Sequence, residues 1–171
     1  MRWIVFLVLA VPILTAQSTL SQRVELFGAR PDWLLILVVF VALHARRSDA
    51  VLGAWVLGMA ADLMTIERCG LIAMSYVLVT TAVIAVREFL FRQRAITQFV
   101  VTLIVGMAIH GAWLVYRRTL YPPTLPVFDD FVVGVLFVAV YTALWAPPIH
   151  ACLLRLRKPL GFAAPRFGYA P

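Results

Sequence analysis

The sequence predicts an all-α, polytopic membrane protein, a bundle of six transmembrane helices joined by short loops. Three observations carry that expectation. Of the 171 residues, 63% are hydrophobic and 13% charged, against about 45–50% and about 25% in an ordinary soluble domain. The mean hydropathy is +0.95. The apolar residues also fall into six runs divided by short polar or basic connectors, with about 20 residues needed per span. The six runs occupy one domain, residues 1–158, and leave a basic tail containing Pro and Gly, 159–171.

The first helix is expected over about 3–20. Arg2 ahead of an apolar run resembles a secretory signal, but no clean A-x-A site follows, so a retained helix kinked at Pro12 is expected. The second, over 31–44, opens sharply at Pro31-Asp32-Trp33. Proline suits a first helical turn because its missing N–H would be unpaired there. Asp32 complements the positive helix end, and Trp33 suits an interface.

The third helix, 48–64, lies within the stretch SDAVLGAWVLGMAADLMTIERCG. Ala50, Ala54, Gly58 and Asp62 recur every fourth residue and share one helical face. Small residues there let another backbone approach closely. Asp62, about 20 Å along this helix, is either an acid that fixes the fold or grips a partner, or one that reaches the headgroups. The fourth helix, 70–86, ends at Arg87-Glu88, and a basic loop leads to the fifth, 95–116, with Gly106, His110 and Gly111 inside it. Pro122-Pro123 and Pro126 make the next connector an extended loop. The sixth helix is expected over 128–146, closing ahead of Pro147-Pro148.

Charge sets the orientation. The net charge is +7, and the basic residues lie between apolar runs, where they act as topology signals rather than nucleic-acid contacts. With both termini cytoplasmic, ten of the 15 Lys and Arg residues fall inside and five outside. Cys69 and Cys152 then lie on opposite sides, so no disulfide between them is expected.

Catalytic patterns are absent: no HExxH, no phosphate-cradling glycine loop, and no carboxylates paired for acid–base work. No cofactor, metal site or enzymatic activity is expected. Asp32 reads most simply as a helix-terminus residue, although the two outer-side acids could converge with Arg30 or Arg68. His110 reads as a packing histidine, and His44 and His150 carry less weight still.

Three features together resemble a known family. These are Arg30-Pro31-Asp32 opening an apolar helix, the G-x-x-x-D-L pattern Gly58-Met59-Ala60-Ala61-Asp62-Leu63, and Gly70 eight residues after the acid. In this order and spacing the chain resembles the bacterial rod shape-determining protein MreD family. It departs in the turn Met64–Cys69, in the proline-rich loop from Tyr121 to Pro126, and in the tail.

The resemblance implies a non-enzymatic, inner-membrane component of the cell-elongation machinery. Its partners would be MreC and, through it, MreB and the elongation polymerase and transpeptidase, together with membrane lipids. It also implies similarity in fold to the substrate-binding components of energy-coupling-factor transporters, which leaves a substrate- or lipid-binding role as the alternative. The residues expected at a partner interface or in helix packing are Pro31, Asp32, Ala50, Ala54, Gly58, Asp62 and Gly70.

Overall fold

Ten consecutive residues, Leu34 to Leu43, are each no more than 3% exposed. A helix that is apolar all round must be buried all round, and this one forms the axis of the molecule. The structure, a computed structural model, describes residues 3–26, 28–65, 70–89, 94–120 and 130–155. Among these it is all-helical. Helix α1 spans Trp3–Arg23, α2 Trp33–His44, α3 Arg47–Asp62, α4 Leu71–Val86 and α5 Ala95–Leu120. Helix α6 spans Val132–Arg155, and its first six residues, Val132–Phe137, form a π-helical turn.

Helix α2 touches every other helix, and α3 with α4 and α5 with α6 form the two most extensive pairs. Helix α1 rests on α2 and α3, with Phe6 and Ala10 buried. The connector after α1 closes the ring against α6, where the Tyr141 hydroxyl donates to the Val24 carbonyl at 2.9 Å. Five helices thus surround a sixth.

Two glycines set how closely the pairs approach. A Cβ on Gly58 would stand 2.3 Å from the Ala73 Cα, so α3 and α4 meet backbone to backbone there. A Cβ on Gly106 would lie 3.2 Å from the Ala139 Cβ, between α5 and α6. Close approach of this kind is what small residues permit.

Helices α5 and α6, with 26 and 24 residues, are long and apolar enough to cross a membrane. Helices α2 and α4 are shorter apolar helices. Helix α6 runs on through Pro147-Pro148 to Arg155 instead of closing at Ala146. The two prolines remove the donors that would bond the Ala143 and Leu144 carbonyls. Packing outweighs that loss, because Ala146, His150 and Leu153 are all buried and His150 Nε2 lies 3.2 Å from the Ile36 carbonyl. Helix α5 continues past Tyr116 to Leu120, and Arg118 near its end pairs with Asp130 ahead of α6. The proline-rich loop, Arg68, Cys69 and the tail lie outside the described residues.

Candidate functional site: carboxylate-capped helix ends

Helix α4 begins at Gly70, whose φ of +101° no residue with a Cβ adopts cheaply. Gly70 has no side chain with which to cap the helix. The cap comes from α3 instead. The Asp62 Oδ2 accepts the N–H groups of Gly70 and Ala73, and Oδ1 accepts that of Ile72, all at 3.0 Å. These are three of the four N–H groups that a helix start leaves without partners, and a carboxylate also complements the positive end of the helix.

Asp62 is 3% exposed. A carboxylate has about four acceptor sites, and three of them are filled. Its own carbonyl accepts the N–H and hydroxyl of Thr65. The spacing of Gly58, Asp62 and Gly70 now has a physical account. Gly58 lets α4 come close, Asp62 caps it, and Gly70 supplies the backbone turn. Ala50 and Ala54, on the same face, are buried.

Asp32 caps α2 in the local manner, with Oδ1 accepting the Leu35 N–H at 3.0 Å. Its Oδ2 receives the Tyr76 hydroxyl at 3.5 Å and lies 4.0 Å from His110 Nε2. The Asp32 N–H donates to the Thr142 hydroxyl at 2.9 Å, and the Trp33 N–H donates to Gln17 Oε1 at 2.8 Å. The start of α2 is therefore hydrogen-bonded to α1, α4 and α6 at once, with His110 of α5 close by. Pro31, immediately ahead, is buried.

The two acids do not converge with Arg30, which pairs with Glu25 at 2.8 Å. They converge on the first two turns of α4 instead, Asp62 through backbone and Asp32 through Tyr76. The opposite end of α2 is held by Arg87, whose Nη1 donates to the carbonyls of Ala42 and Ala45 at 3.0 and 2.7 Å. A cation there complements the negative end of the helix.

Sequence reasoning missed Gln17, Tyr76, Arg87 and Thr142 as members of these clusters. Their contacts reach across 16 to 110 positions of chain, and a cap borrowed from another helix leaves no local pattern. His150, too, is without a local signal in the sequence, yet it is 0% exposed, with its ring 5.4 Å from that of Phe40.

Among the described residues, no three His, Cys, Asp or Glu side chains gather to hold a metal ion. The arrangement suits polar groups that fasten helix ends inside an apolar interior, where an unpaired N–H or C=O is costly. Neither a curated protein nor a solved structure matches the chain. A family model described as rod shape-determining protein MreD matches residues 1–145 of the 171, from α1 to Trp145 in α6. On that match, the chain belongs to the MreD family of rod shape-determining proteins.

Proposed function

We propose that this protein is a non-enzymatic integral membrane adaptor of the cell-elongation complex, binding MreC and so supporting peptidoglycan synthesis and rod shape. Membership of the MreD family supports a role in shape determination. The single structural observation that favours an adaptor is the use made of Asp62. Its carboxylate serves three backbone N–H groups of α4, as a scaffold requires and a proton-transferring acid does not. In this reading Pro31, Asp32, Ala50, Ala54, Gly58, Asp62 and Gly70 shape the bundle, and its outer surface meets MreC. MreB and the polymerase and transpeptidase are reached through that contact.

The proposed topology has six spans in the bacterial inner membrane with both termini cytoplasmic. Charge supports it. Among the described residues, the end of the bundle where α2 finishes carries Arg46, Arg47, Arg87, Arg94 and Arg155 against Asp49 and Glu88. The other end carries Arg23, Arg30, Arg117 and Arg118 against four acids, Glu25, Asp32, Asp62 and Asp130. The positive-inside rule places the first end in the cytoplasm.

Complementation tests the functional reading. In cells depleted of their own copy, the wild-type protein restores rod shape. Failure to do so at normal abundance contradicts the assignment.

The second reading, a substrate- or lipid-binding transporter component similar in fold to those of energy-coupling-factor systems, has one observation in its favour. Thr80 and Thr102 hydroxyls and His110 Nε2 are buried without a hydrogen-bond partner. A ligand for such groups would raise thermal stability by mass action, and a screen of vitamins and lipids that leaves the melting temperature unmoved rejects it.

A further inference from the structure

The six helices do not have one length. At 1.5 Å per residue, α5 and α6 are about 39 and 36 Å long, and α3 and α4, with 16 residues each, about 24 Å. Helix α1, with 21 residues, is about 32 Å long, close to the longer pair. A bilayer's hydrocarbon core is about 30 Å thick. Tilting brings a long helix down to that thickness, but no tilt lengthens a short one.

The difference in height is also visible inside the bundle. Asp32 meets His110 and Thr142, each about 15 Å short of the nearer end of its helix, and Tyr76, only about 8 Å from the start of α4. On that side more of α5 and α6 than of α4 therefore continues past Asp32.

The short side cannot grow to match. Asp62 fixes where α4 starts, and Arg87, tied to the carbonyls of Ala42 and Ala45, marks where it stops. Arg46 and Arg47 sit at the beginning of α3, with Arg47 3.7 Å from Glu88. Between these limits the outer faces are apolar and exposed: Leu52 and Trp55 on α3, Met74 and Leu78 on α4.

We propose that the α3/α4 side binds a locally thinned annulus of phospholipid, preferring short acyl chains, while α5 and α6 meet lipid of ordinary thickness. The bilayer yields because the helix ends do not. This rests on the membrane-embedded reading above and adds to it a lipid preference confined to one side.

Brominated-lipid quenching tests it. The full chain carries Trp55, with its other tryptophans changed to Phe, or a single tryptophan from Ile104→Trp on α5, where Ile104 is 62% exposed. Each is reconstituted in phosphatidylcholine vesicles with monounsaturated chains of roughly 14 to 22 carbons. Trp55 is expected to select short over long chains about threefold, and the tryptophan at position 104 to show no such selection.

Equal selectivity at both positions overturns the proposal, as does a Trp55 shielded from lipid by a second copy. If lipid quenches neither tryptophan, the membrane-embedded reading itself fails. The unmodified protein in the same vesicles gives a second measurement, with its unfolding temperature expected to peak at the shorter chains. A peak at the longest chains counts against thinning.

Discussion

Replacing Asp62 with alanine leaves the N–H groups of Gly70, Ile72 and Ala73 without their acceptor. Buried donors so orphaned, together with a lost helix cap, cost about 2–4 kcal/mol. The variant is expected to unfold at a lower temperature in detergent and to accumulate less in cells. Asp32 allows a finer distinction. Asparagine caps a helix about as well as aspartate, so Asp32→Asn should retain most of the stability and Asp32→Ala should lose about 1–2 kcal/mol by thermal unfolding. Equal loss in both would mean that the charge facing His110 matters more than the cap. Gly58→Ala drives a methyl group into the Ala73 backbone, and overpacking of this kind costs about 1–3 kcal/mol. The seam and the acid were legible as a pattern, because every fourth residue shares a face. That Asp62 caps the next helix was not, because the cap crosses a turn and its recipients are backbone atoms that any sequence supplies.

At the scale of the element, α2 is the most dependent on its neighbours. Its 12 residues span about 18 Å, so both ends stop inside the bundle and need polar partners there. Asp32 supplies one locally, and Arg87 supplies the other from α4. Arg87→Ala should therefore destabilise the bundle by about 1–3 kcal/mol. Arg87→Lys should recover only part of that, since one ammonium does not reproduce a fork of N–H donors. Amide hydrogen exchange at the last turn of α2 would register both. The presence and order of all six helices could be read from the apolar runs and the turn residues, and Asp32 announced the start of α2. The end of α6 could not be read, because Pro147-Pro148 argues for a stop and only the burial of His150 and Leu153 overrides it. Arg87 resembled a simple boundary charge for a similar reason: its acceptors lie more than 40 residues away in the chain.

For the whole molecule, helices of unequal length enclose a buried axis, and Asp32, Asp62 and Arg87 fasten helix ends in the interior. Reporter fusions should place residues 65 and 120 outside and both termini in the cytoplasm, in keeping with the charge difference between the two ends. A reporter at either of those positions that is active only in the cytoplasm would contradict the proposed topology. The most direct measurement is recovery of MreC with tagged protein from solubilised membranes, counted per folded molecule, for wild type and Asp62→Ala. A scaffold whose interior acids shape the fold predicts MreC with the wild type, and a variant that is scarcer but carries the same MreC per folded molecule. Intact wild-type protein without MreC, or an abundant, folded Asp62→Ala that has lost it, would contradict the account.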